Sequence, residues 1–212
     1  MTEEEWFATT DARRLLGLSR GKVAGRKLRL FMTAWSRYNW ERITLPVVRE
    51  AVELAEVFAD GEASKKQLEA LFDECRPVIF ETPVRYLLWP DSTQMSDCVD
   101  GFCLNDFGYS PYRTDDQGLT YRAHQVVKAG IFRDIVGNPF RPVAFPPSWR
   151  TETAVLLARQ MYDSRDFGAM PILADALQDA GCDAGDILNH CRDAPQVHVR
   201  GCWVVDLVLG KE

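Results

Sequence analysis

Residues 26–61 read RKLRLFMTAWSRYNWERITLPVVREAVELAEVFADG. Leu28, Phe31, Trp35 and Tyr38 recur at steps of three and four, which puts them on one face of a helix between Val23 and Arg42. Thr44 then precedes Pro46. A proline is tolerated in a first helical turn, because its missing N–H would have no partner there. Val48, Ala51, Val52, Ala55 and Phe58 continue with helical spacing until Asp60-Gly61 stops the run.

The same punctuation extends in both directions. Thr2 with Glu5 fits a capping box, in which each side chain satisfies the other residue's orphan N–H. Asp11 caps a short helix ending near Gly17. Ser64 and Gln67 form a second box, opening a helix that carries Leu68, Leu71, Phe72 and Cys75 and ends at Pro77. Beyond the middle of the chain, Tyr121–Val136 places Ala123, Val127 and Ile131 on one side, with Gly137 as the stop. Asn138-Pro139-Phe140-Arg141-Pro142 and Phe145-Pro146-Pro147 are expected to be extended, since proline excludes the α conformation from the residue before it. Thr151 caps a helix carrying Ala154, Leu157, Ala158 and Met161. Ala169–Ala180 turns Ile172, Leu173, Ala176 and Leu177 inward, and Asp183 with Asp186 starts a short helix through Ile187, Leu188 and Cys191. The last helix spans about Val199 to Leu209.

Residues 77–119 lack this pattern. Val78–Phe80 and Val84–Trp89 are short apolar runs bounded by Pro77, Pro83 and Pro90, ambiguous between strand and short helix. A polar, Gly- and Asp-rich stretch follows, longer than loops in compact domains usually are. The expected fold is therefore mainly α and bundle-like: two packed helical lobes, 1–76 and 120–212, bridged by the irregular, proline-bounded segment 77–119.

Composition agrees with a folded protein. Of 212 residues, 46% are hydrophobic and 26% charged, which excludes a disordered chain. No apolar run approaches the roughly 20 residues of a membrane span. The acidic start Met1-Thr2-Glu3-Glu4-Glu5 has no apolar stretch behind it and does not read as a signal peptide. The expectation is a cytoplasmic protein with no membrane partner, whose six cysteines are reduced thiols. Net charge is −6, unevenly placed: Asp11–Arg42 holds nine basic residues against two acidic ones, a local +7 that leaves −13 for the remainder.

Met1-Thr2-Glu3-Glu4-Glu5-Trp6 and Arg26-Lys27-Leu28-Arg29-Leu30-Phe31 resemble the start of an uncharacterised bacterial protein family. Gly137-Asn138-Pro139-Phe140-Arg141-Pro142-Val143, Pro171-Ile172-Leu173-Ala174-Asp175-Ala176-Leu177 and His198-Val199-Arg200-Gly201-Cys202-Trp203 resemble its C-terminal part more strongly. The resemblance implies a helical fold and carries no activity, ligand or partner. Where that family is often cysteine-rich, this chain reads Met32-Thr33-Ala34-Trp35-Ser36.

Several chemistries fail on spacing. Gly17-Leu18-Ser19-Arg20-Gly21-Lys22-Val23 has only three residues between its glycines, and Val23 where a phosphate loop needs Ser or Thr. Asp97, Asp100, Asn105 and Asp106 lack the alternation and closing Glu of a calcium loop. Cys98 and Cys103 with Cys75 and His124 are too widely split for a zinc knuckle. No His-Glu-x-x-His helix or Cys-x-x-Cys pair occurs.

What remains favours a non-catalytic interaction or regulatory module with no cofactor, binding a partner protein through charged helices or the middle segment. The alternative is a nucleic-acid binder using the basic stretch from Arg20 to Arg42, chiefly Arg20, Lys22, Arg26, Lys27 and Arg29, beside aromatic residues able to stack on bases. A second alternative is a zinc-stabilised protein, or an enzyme, built on Cys182, His190, His198 and Cys202. The expectation for this cluster is structural and metal-free: small buried cysteines that knit the last three helices together, with His198 held by a carbonyl or by Asp206.

Overall fold

The computed structural model describes residues 2–19, 22–79, 83–89, 116–193 and 196–211. Every regular element among them is helical: α1 Glu3–Ala8, α2 Ala12–Ser19, α3 Gly25–Tyr38, α4 Pro46–Ala59, α5 Lys65–Ile79, α6 Asp116–Val136, α7 Glu152–Ser164, α8 Met170–Asp179, α9 Gly185–Arg192 and α10 Trp203–Leu209, with short 3-10 turns at Trp40–Arg42, Pro83–Tyr86 and Pro147–Trp149. The protein is mainly α. None of the helices among the described residues is long and apolar enough to cross a membrane.

Side-chain caps set four of the starts. Thr2 and Glu5 form the capping box, and Asp11 accepts from the Arg13 and Arg14 N–H groups. Ser64 and Gln67 exchange their two bonds, and Thr151 accepts from the Ala154 N–H. Other boundaries differ from the sequence expectation. α2 passes Gly17 to Ser19, and α5 passes Pro77 to Ile79. A proline this near a helix end removes only one bond of the last turn, which the turn tolerates. α6 begins at Asp116, earlier than expected, and α9 has Ala184 as its N-cap, so Asp183 does not open it. α10 begins only at Trp203, because Gly201 turns the chain at φ +95° just before it. Of the ambiguous run Val84–Trp89, residues 84–86 form part of the 3-10 turn Pro83–Tyr86 and the rest is non-helical.

The chain divides into two compact units, Met1–Phe132 and Arg133–Glu212. In the first, α3 is central. Residues 28–36 are buried without a break, Arg29, Thr33 and Ser36 included, so α3 has no solvent face over its middle turns. Phe31 meets Phe132 edge-on at 5.3 Å between ring centroids, and Trp6 meets the same ring at 5.9 Å. α4 packs on both α3 and α5. Tyr38, expected on the buried stripe, is 52% exposed and stacks on Trp35.

In the second unit α7 contacts α8, α8 contacts α9, α9 contacts α10, and α10 returns to α7. Their shared core includes Ala158, Met161, Leu173, Leu177, Ile187 and Val205. Ile172, expected inward, is 58% exposed; Leu173, Ala174 and Leu177 carry the buried face of α8 instead. The end of α6 also gives this unit Asp134, which is fully buried.

Candidate metal centre

Asp134 lies in the last turn of α6, which Gly137 ends at φ +75° with its N–H on the Arg133 carbonyl at 2.8 Å. His190 lies near the C-terminal end of α9. His198 and Cys202 lie on the chain between α9 and α10. A turn closed by the Cys202 N–H on the Val199 carbonyl, 2.9 Å, brings those last two together, so they do not share a helix face.

One ligand atom from each of Asp134, His190, His198 and Cys202 falls within a group whose members all lie within 4.8 Å of one another. Asp134 Oδ1 is 2.8 Å from His198 Nδ1 and 3.2 Å from His190 Nε2. His190 Nε2 is 3.2 Å from Cys202 Sγ, and Cys202 Sγ is 3.9 Å from His198 Nδ1. Asp134 Oδ2 accepts the Val199 N–H at 2.9 Å, which leaves Oδ1 to the site. The two imidazoles meet edge-on at 4.8 Å, and His190 lies 5.0 Å from the Trp203 ring.

Burial by itself raises the pKa of Asp134. Hydrogen bonds from His190 and His198, together with their charge, outweigh it and hold the carboxyl below its usual range. Burial, helped by the Asp134 charge, pushes the Cys202 thiol well above its ordinary value, although the Val205 and Val204 N–H groups at the start of α10 favour the thiolate. A thiol held this way is a poor nucleophile. It becomes a thiolate when a cation compensates it.

No family model, curated protein or solved structure matches the chain. The site must therefore be judged on its own chemistry.

Of the four residues singled out for zinc, the structure gathers His190, His198 and Cys202. Cys182 is not in the group. It follows Gly181 into the core, its N–H on the Leu177 carbonyl and its sulfur accepting from the Ala184 N–H, and burial raises its thiol. Cys191, the neighbour of His190, also faces the core, where burial pushes its thiol up to about 12. Asp134 fills the fourth place, and His198 pairs with it rather than with Asp206. One signal for Asp134 was present: it falls three residues after Ile131 on the apolar side of α6, where an acid needs a partner.

The basic stretch is dispersed. Arg20 lies outside the described residues, as do Asp97, Cys98, Asp100, Cys103, Asn105 and Asp106. Lys22 is exposed and Lys27 half-buried. Arg26 pairs with Asp60 at 3.0 Å. Arg29 belongs to no charged surface: it is buried under the Phe58 ring and donates to the Leu87 carbonyl and, at 2.6 Å, to the Trp89 carbonyl. Arg37 grips the buried Glu56 through both of its carboxylate oxygens. Cys75 and His124 are separately placed, Cys75 on the Val47 carbonyl and His124 against Trp35 and Tyr38.

Proposed function

We propose that residues 133–212 form a metal-stabilised helical module, in which Asp134, His190, His198 and Cys202 hold one zinc-class divalent ion and close the fold of a non-catalytic interaction protein. The observation that carries this reading is the meeting of four donors of four different chain positions at one buried point. Bonds of about 2.0–2.3 Å to a tetrahedral ion imply donor separations of roughly 3.3–3.8 Å. The separations of 2.8, 3.2, 3.2 and 3.9 Å lie on either side of that range and no pair exceeds 4.8 Å, so closing on an ion takes side-chain movements of about 1 Å. Two nitrogens, one carboxylate oxygen and one sulfur suit zinc and its neighbours and do not suit calcium or magnesium, which take oxygen. Carboxylate and thiolate together balance a divalent charge, as a buried ion requires.

Four protein donors leave no open position, which favours a structural over a catalytic role. The bland metal-free reading loses ground to Asp134, a fully buried acid aimed at two histidines and a thiol. The nucleic-acid reading loses Arg26, Arg29 and Arg37, whose charges are engaged within the first unit. Elemental analysis of protein purified without chelator tests the proposal. About one zinc per chain, with a melting temperature that falls on chelation and recovers with added zinc, supports it. A metal-free chain whose melting temperature ignores added zinc overturns it.

A further inference from the structure

His190 presents its two nitrogens to different partners. Nε2 faces Asp134 Oδ1 and Cys202 Sγ, and Nδ1 faces the Gln196 side-chain amide, with Nε2 of Gln196 at 3.2 Å. An ionised carboxylate only accepts. The proton of a neutral His190 therefore sits on Nε2, and Nδ1 takes the N–H of Gln196. A metal on Nε2 reverses this. The proton must move to Nδ1, which then needs an acceptor on that side.

We infer that Gln196 is the positioning residue of the centre, an amide that donates to His190 in the metal-free site and accepts from it in the loaded one. A half-turn of the amide about its last bond exchanges nitrogen for oxygen at the same place, so one side chain serves both tautomers. Placement supports this role. The Gln196 N–H is bonded to the Asp193 carbonyl at 3.0 Å, which fixes the residue just beyond the end of α9 and two residues before His198. Asp and Glu commonly orient metal-bound histidines from the second rank, and a glutamine oxygen does so without adding charge to a site already balanced. The inference about the loaded state rests on the zinc reading above; that about the metal-free tautomer does not.

The test uses the full chain with zinc alone, in competition with a chromophoric chelator, and nitrogen-15 NMR of the histidine side chains. Gln196→Ala should bind zinc 10–100-fold more weakly than the wild type. Gln196→Glu, which accepts but cannot donate, should restore or exceed wild-type affinity. A merely structural residue gives no such rescue. In the wild type, His190 should be protonated on Nε2 without metal and on Nδ1 with it. Wild-type protein that takes no zinc yet shows the Nε2 tautomer, lost in Gln196→Ala, overturns the metal reading and leaves the His190–Gln196 pairing standing. Zinc binding that Gln196→Ala changes less than twofold, or a His190 tautomer indifferent to metal, overturns the positioning role.

Discussion

His198 and Asp134, 64 residues apart in the chain, meet at 2.8 Å between Nδ1 and Oδ1. The pair ties the last turn of α6 to the segment that enters α10, and the Val199 N–H on the second carboxylate oxygen locks the same two pieces. Asp134 is thus an acceptor for three donors, His190, His198 and Val199, at a point closed to water. Its removal leaves all three unanswered.

Asp134→Ala should accordingly destabilise the second unit, by about 1–3 kcal/mol for each buried donor left without its acceptor. Urea denaturation followed by circular dichroism reads it out. A loss below about 1 kcal/mol would show that the carboxylate is not needed to order the loop. Zinc added to this variant should restore little, because one donor is gone.

Gly137→Ala tests how α6 is brought to the site. The residue has φ +75°, and a Cβ there would stand 3.0 Å from Cγ of Trp203. Left-handed backbone in a residue with a side chain costs about 1–3 kcal/mol, and the indole contact adds to it. The expected result is a lower melting temperature. An unchanged melting temperature would mean that the indole is not seated on this helix end.

The legible parts of the fold are those decided within one or two turns. Thr2 with Glu5, Ser64 with Gln67 and Thr151 each act on an N–H three residues away, so the sequence contains the whole interaction. Boundaries were less legible where a residue's usual effect depends on position: Pro77 does not break a turn that is already ending, and Gly201 delays α10 by a turn of chain that patterning does not reveal. Three of the four site donors were legible because they crowd together near the C-terminus. Cys182 crowds there equally, but its turn sends it to the core, whereas Asp134 arrives from a distant helix. Spacing along a chain reports neighbours in space only within an element, and this site is assembled between elements.

Arg29 shows the same limit from the other side. Its charge reads as part of a basic surface, yet its partners are the carbonyls of Leu87 and Trp89, 58 and 60 residues on. Arg29→Met should therefore cost stability, about 1–3 kcal/mol for a buried carbonyl left without its donor, measured by urea denaturation of the full chain. Lys22→Glu, at an exposed position, should shift stability by no more than about 0.5 kcal/mol. These two responses decide how a nucleic-acid assay is read. Weakened retardation of DNA in Lys22→Glu would revive the nucleic-acid alternative, whereas the same result in an Arg29 variant would report unfolding.

Cys75 supplies a pH test in the first unit. It is fully buried on α5 with its sulfur 3.7 Å from the Val47 carbonyl, and burial, followed by the charges of Glu74 and Glu50, raises its thiol from 9.0 to about 11. The sign follows from linkage. A thiol that ionises at about 11 when folded and near 9 when unfolded binds its proton more tightly in the native chain, so its contribution to stability is complete below pH 9. As pH rises from 9 towards 11, the unfolded state gains its thiolate first and that contribution is lost. Wild-type protein should thus lose more of its urea midpoint between pH 8.5 and 10.5 than Cys75→Ala does, even though the variant is less stable at neutral pH for want of the buried side chain. The same protonation should keep native Cys75 unreactive towards iodoacetamide at pH 8, with alkylation appearing only under urea. Parallel midpoints in the two proteins across that range, or rapid alkylation of the native thiol, would show that Cys75 is not held protonated by the packing of α4 and α5.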